Sequence, residues 1–180
     1  MDASTSGFVL RRFRFSESSF ILVWLTQDFG KIKTSARGVL KPKSRFVGAV
    51  DLFYKAEINI RKSPKARDDI WNLCDASLER PFSGCEQARY LACSVAAYFA
   101  SLLDATTHTE EPCSPLFDLL NRALTYLDKS VPDMVAVRHF EKELCRGLGL
   151  AAGQSPHHIL SEYTGKPLAG RKELVKQLPS

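Results

Sequence analysis

The apolar residues of this chain change their period near residue 80, and that change calls for two kinds of folding unit. Before it they recur at every second position. In "DLFYKAEINIR" (51–61), Leu52, Tyr54, Ala56, Ile58 and Ile60 share one face, while Lys55, Glu57, Asn59 and Arg61 share the other. Side chains alternate across a strand, so the pattern predicts a half-buried strand. Beyond residue 85 the spacing becomes three to four. Leu91, Val95, Tyr98, Phe99, Leu102 and Leu103 then fall on one stripe of a helix over 86–104.

The other front segments agree. "FVLRRF" (8–13) favours a strand, and "SFILVWLT" (19–26) is apolar on both faces, as in a strand covered on each side. "QDFGK" places Gly30 where a short hairpin needs a positive φ. "KIKTSARG" (31–38) alternates again, and a last extended piece spans 71–78. Five short strands in such a stretch predict a small barrel of the OB type. In the back half, Ser114-Pro115 carries a helix-start signature, followed by Leu116, Leu120, Ala123, Leu124 and Leu127 on one side. A third helix runs from near Asp133 to Gly147 and Gly149, with Val137, Phe140 and Leu144 inward. Ser155-Pro156 opens a fourth, stopped near Gly165, and "GRKELVKQL" adds a last short one. The fold class is therefore α+β. A five-stranded OB-type β-barrel over residues 1–80 precedes an all-α helical domain over 81–180, joined through "RPFSGCE" (80–86).

Charge separates the halves as sharply as period does. Residues 1–67 hold 14 Lys and Arg against 5 Asp and Glu, whereas residues 68–180 hold 11 against 15. A basic module on an acidic one suggests a polyanionic partner for the first. The longest apolar run, Phe20 to Leu25, is far short of the roughly 20 residues a membrane helix needs. The polar start "MDASTSG" shows no secretory signal. Five cysteines, an odd number without a C-x-x-C pair, read as reduced thiols. The expected location is the cytoplasm.

The basic charge concentrates in "GKIKTSARGVLKPKSRF" (30–46), which has six cations and no acid. Lys31, Lys33, Ser35 and Arg37 share one strand face, and Lys41, Lys43 and Arg45 follow in the loop. Lysines also guard exposed strand edges against aggregation, which is the bland reading. Against it stand the missing acids, the barrel context, and the aromatics Phe20, Trp24, Phe29 and Phe46 nearby. Cationic grooves with aromatic platforms bind single-stranded nucleic acid. Trp24, inside a doubly apolar strand, belongs to the core; Phe46, beside Arg45, is the stacking candidate. Lys31, Lys33, Arg37, Lys41, Lys43 and Arg45 form the expected phosphate-binding set, with Arg12, Arg14 and Arg171 as weaker members.

Particular residues carry a family resemblance. Phe15, Glu17 and Ser19, then Thr26, Gly30 and Lys31, then Gly38, Lys43, Ser44 and Arg45 follow an order and spacing that resembles the bacterial recombination-mediator family RecO. "EEPCSPLFDLLNRALTYL" and "FEKELCRGLGL" resemble two helices of that family, so the likeness runs over roughly residues 8–150. Many members then carry two zinc-binding Cys pairs; this chain has "AAGQSPHHIL" instead, with Lys166, Pro167, Leu168 and Arg171 matching the family's ending. The expectation is a complete, shortened member without that insertion. The resemblance implies binding of single- and double-stranded DNA and annealing of complementary strands. It also implies work with RecR to load RecA onto strands coated by single-strand-binding protein, whose acidic, apolar-tipped tail meets the helical domain.

Other chemistry has weaker support. His157-His158 with Cys145 fits no metal spacing, because adjacent helix residues point apart. Asp68-Asp69 and Glu110-Glu111 are acid pairs in loops, with no converging carboxylates for a two-metal nuclease. No G-x-x-x-x-G-K-[ST] loop is present. The expectation is a non-enzymatic DNA binder without metal or cofactor. An OB-fold RNA-binding factor and a protein-interaction adaptor that does not bind DNA are the alternatives.

Overall fold

Strand β1 (Asp2–Arg14) is long enough to serve two neighbours. It pairs antiparallel with β4 (Lys55–Arg61) through Asp2–Phe8 and with β2 (Phe20–Thr26) through Gly7–Arg14. The handover falls at Gly7, where a Cβ would lie 3.2 Å from the Trp24 ring, so glycine lets the backbones close in. β2 continues antiparallel into β3 (Gly30–Ala36), and β4 pairs with β5 (Ile70–Arg80). Parallel pairing of β3 with β5, from Lys33–Ile70 to Ser35–Asn72, closes the barrel in the order β1-β2-β3-β5-β4. This is the expected five-stranded barrel of the OB type. The computed structural model describes residues 1–41, 44–46, 48–62, 69–150 and 155–179.

The interior is filled by Val9, Leu22, Trp24, Ile32, Ala56, Ile58, Ile60, Trp71 and Leu73. The Trp24 indole N–H donates to Thr34 Oγ1 at 2.9 Å, so the largest buried ring keeps its hydrogen bond. β2 is buried along both faces, with Val23 and Leu25 as inaccessible as Leu22 and Trp24, in agreement with its doubly apolar sequence. Two strand limits differ from the sequence reading. β1 starts at Asp2, because "DASTSG" is polar yet pairs residue by residue with β4. β4 starts at Lys55, because Asp51–Tyr54 forms a turn in which Leu52 N donates to Asp51 Oδ1 and Phe53 takes φ 66°.

The chain divides into two compact units. The barrel unit takes Met1–Phe82 together with the loop Thr107–Ser114; the helical unit takes Ser83–Thr106 and Pro115–Ser180. In the helical unit, α1 (Arg89–Thr106), α2 (Ser114–Lys129) and α3 (Met134–Gly147) follow the predicted stripes, α4 (Pro156–Thr164) runs between its start and stop signals, and α5 (Arg171–Gln177) is the last short helix. Phe99 of α1 stacks on Phe140 of α3 with centroids 3.8 Å apart, and Gly147 leaves room for Leu116 of α2. Asp133 caps α3 by accepting from Ala136 N at 2.7 Å.

Candidate nucleic-acid interface

The accessibility of β3 follows its sequence. Ile32, Thr34 and Ala36 point inward, while Lys31, Lys33 and Ser35 lie on the outer face. That hand is set by the hairpin before it. Thr26 Oγ1 donates to Gly30 O at 2.8 Å and accepts from Phe29 N at 3.1 Å, and Gly30 takes φ 63°. A Cβ on Gly30 would also run into the Glu111 carbonyl, so both the turn and the passing loop require glycine. The threonine and the glycine of the Thr-x-x-x-Gly-Lys pattern thus have a mechanical reason. They fix the register that turns Lys31 and Lys33 outward.

After β3 the chain stays basic and exposed. Gly38, at φ 76°, turns it, and Lys41 N donates back to Gly38 O at 3.1 Å. Arg37, Lys41 and Arg45 are exposed, as is Lys33. Among the described residues no carboxylate pairs with these four side chains. Lys31 is half-buried, and its carbonyl accepts from Glu110 N at 2.8 Å. Lys43 lies outside the described residues. Like charges without counter-charges build a local positive potential, which is what a polyanion follows.

The weaker candidates divide. Arg12 is an exposed residue engaged on both sides, with Asp51 at 3.0 Å and the Phe20 ring 5.1 Å from its guanidinium carbon. Arg14 is exposed and donates to the carbonyls of Ser16 and Glu17 at 3.4 Å. Two expectations are corrected. Phe46 is only 2% exposed and fills the barrel core, so its ring has no free face for a base; an apolar ring beside Arg45 gains more from burial than from water contact. Arg171 belongs to the helical unit, where it forms a two-pronged ion pair with Glu141 at 2.6 and 3.1 Å. Glu141 also accepts from the Tyr98 hydroxyl at 2.6 Å and is 1% exposed. Burial first, then the Glu141 charge, pushes the Tyr98 hydroxyl well above the ordinary tyrosine range, and the Glu141 hydrogen bond raises Arg171 further. This arginine is committed to the fold.

The first acid of "EEP", Glu110, also has a role that the acid pair in sequence did not reveal. The Glu110 carboxylate accepts from the Trp71 indole at 2.7 Å and from the Lys62 ammonium at 2.5 Å. With the Glu110 N–H on β3, it fastens the loop 107–114 to the barrel. The Lys62 hydrogen bond is the main reason its carboxyl is held below the usual range, with Trp71 adding to it against a burial cost. Sequence reading also passed over Phe13 and Phe15, which are exposed at the end of the β1–β2 hairpin. The signal was there: "RRFRF" alternates cations with rings at the end of β1 and into the turn after it.

The model of the family described as "Recombination protein O N terminal" matches residues 1–82, and "Recombination protein O C terminal" matches residues 87–153. The chain belongs to the RecO family. A relative called DNA repair protein RecO from Anaeromyxobacter dehalogenans (strain 2CP-C) is 32% identical over 146 residues, covering 81% of this chain and 56% of its own. The Listeria monocytogenes serotype 4b (strain CLIP80459) protein of that name is 28% identical over 159 residues, covering 88% of this chain and 60% of its own. The Syntrophus aciditrophicus (strain SB) protein is 32% identical over 139 residues, covering 76% and 52%. The matches thus take in between half and three fifths of each RecO relative's length. No helix among the described residues is long and apolar enough to cross a membrane.

Proposed function

We propose that this chain is a cytoplasmic DNA-repair protein that binds DNA through the outer face of β3 and the loop after it, without catalysing a reaction on it. The observation that carries the reading is the set Lys33, Arg37, Lys41 and Arg45, exposed and without carboxylate partners among the described residues; Lys31 and Lys43 extend it in sequence. Cations of this kind bind phosphates and release the counterions condensed on them. Neutralised strands approach one another with their bases free to pair, which is a physical route to annealing. Membership of the RecO family supports the finer reading that the chain acts with RecR to load RecA onto DNA coated by single-strand-binding protein.

The helical unit supplies support for that last partner. A groove of about 410 Å³ has an apolar lining that includes Leu119, Tyr126, Val135 and Phe140, with Arg122 and His139 beside them. An acidic peptide with an apolar tip would place the tip in the groove and its carboxylates against Arg122. Asp133 also lines the groove, but its carboxylate is taken up by the cap of α3.

Salt dependence of binding tests the DNA reading. Neutralising about five phosphates on a single strand gives a slope of log affinity against log salt near −3.5, and Lys33→Glu/Arg37→Glu/Lys41→Glu should bring it to about −1.4 while slowing annealing. A slope near zero for the unmodified protein rejects the electrostatic mechanism. Tighter binding of a matched RNA strand would favour an RNA-binding factor instead.

A further inference from the structure

The end of the β1–β2 hairpin exposes apolar surface for which the fold has no use. Phe15 is 73% exposed, Phe13 is 42% exposed, and Leu40 of the neighbouring loop is 51% exposed. Single exposed apolar residues are ordinary on a soluble protein. These three share one corner of the barrel unit. The pairing of Phe20 with Ala36 sets the hairpin end beside the end of β3, and Leu40 N donates to Ser18 O at 3.4 Å, holding the basic loop against the hairpin turn.

Register also fixes the direction of one ring. Opposite residues on paired strands share a face. Phe13 pairs with Ile21 and Ile21 with Ser35, while Arg11 pairs with Val23 and Val23 with Lys33. Phe13 and Arg11 therefore stand on the same outer face as Lys33 and Ser35, two strands away, about 10 Å at ordinary strand spacing. The Arg11 guanidinium covers one side of Phe13, its carbon 4.6 Å from the ring centroid. The turn beneath Phe15 is held by its own backbone, with Phe15 N and Ser16 N both donating to Ser19 O and Arg14 bracing the carbonyls of Ser16 and Glu17. The rings thus sit on a fixed platform, which lowers the ordering cost of binding. Exposed cations flank the rings along the chain, Arg11 and Arg14 on β1 and Arg37 and Lys41 in the loop that Leu40 holds against the hairpin turn, with Glu17 as the carboxylate in the turn.

We infer that Phe13 and Phe15 stack the unpaired bases of a nucleic-acid strand whose phosphates follow the cations of β3 and its loop. The inference rests on the DNA-binding reading above and deepens it by naming the strand state. Duplex bases are already stacked on one another and offer no free face, so the hairpin end discriminates in favour of single strands. Stacking on aromatic rings is tolerant of sequence, so the discrimination concerns pairing and not base identity.

Anisotropy titrations of three labelled ligands of equal length test it: oligo-dT, a duplex, and a strand of abasic deoxyribose phosphates. Phe13→Ala/Phe15→Ala should weaken oligo-dT binding about 5- to 100-fold, leave the salt slope unchanged, and leave duplex and abasic binding as they were. Phe15→Trp should keep oligo-dT affinity and show quenching of the added indole emission on oligo-dT but not on the abasic strand. Both rings are exposed, so circular dichroism should report an unchanged fold. Unchanged oligo-dT binding by the double variant overturns the inference. An equal loss on the abasic strand overturns it too, since the rings would then act on the backbone or the fold. A wild-type protein that binds none of the three ligands rejects the electrostatic reading and this inference with it, whereas a failure of stacking alone leaves normal abasic binding.

Discussion

Arg37 and Arg171 carry the same guanidinium in opposite circumstances. Arg171, in the helical unit, is largely buried and gives two hydrogen bonds to Glu141, which Tyr98 also engages. Arg37, in the barrel unit, is exposed and has no carboxylate partner among the described residues. A buried pair of charges answers to the fold: each member is desolvated and stays tolerable only while the other is present. An exposed cation among other cations answers to something outside the fold, because the folded chain gains nothing from their mutual repulsion. The sign of the charge says little about its purpose; the presence or absence of a partner says more.

The contrast can be broken most severely at the buried end. Arg171→Ala should destabilise the protein by about 3–5 kcal/mol in a urea melt, because Glu141 is left buried without its counter-charge. A melt like the wild type's would mean that water reaches Glu141 and that the two arginines are not so different. Glu110→Ala should cost an intermediate amount, about 1–3 kcal/mol, by leaving the Trp71 indole N–H and the Lys62 ammonium without their acceptor. The sign of its pH dependence is fixed. Lys62 first, then Trp71, favours the ionised carboxylate in the folded state, so the folded value lies below the unfolded one. Its contribution is full above the unfolded value of about 4.3 and is lost as pH falls through the lower folded value. In the variant, the acid limb of stability against pH should flatten, as read from Trp fluorescence. The smallest effect belongs to the outer face. Lys33→Ala/Arg37→Ala should change the melting free energy by no more than about 0.5 kcal/mol, and a larger loss would assign these cations to the fold after all.

Period made the architecture readable. The 51–61 and 19–26 patterns became β4 and β2, and the helical stripe at 86–104 became α1, since burial on one face leaves a direct trace in the spacing of apolar residues. Misreadings fell where burial leaves no such trace. Polar "DASTSG" pairs as a strand because backbone hydrogen bonds need no apolar side chain, and Leu52 alternates in phase yet sits in a turn. The proposed interface stands out in the sequence as a run of cations, and β3 kept its lysines outward as alternation requires.

Local order along the chain, in period, turn glycines and charge runs, determined by itself that a basic barrel of strands precedes a set of helices and that Lys31 and Lys33 share one face of a strand, whereas Arg37 falls just past the end of β3. Tertiary structure alone decided which aromatic is buried and which is exposed, Phe46 inside and Phe15 outside, and which arginine meets a carboxylate. The reason is distance: Glu141 lies 30 residues before Arg171, and nothing in the neighbourhood of either residue in sequence reveals that the fold will press them together.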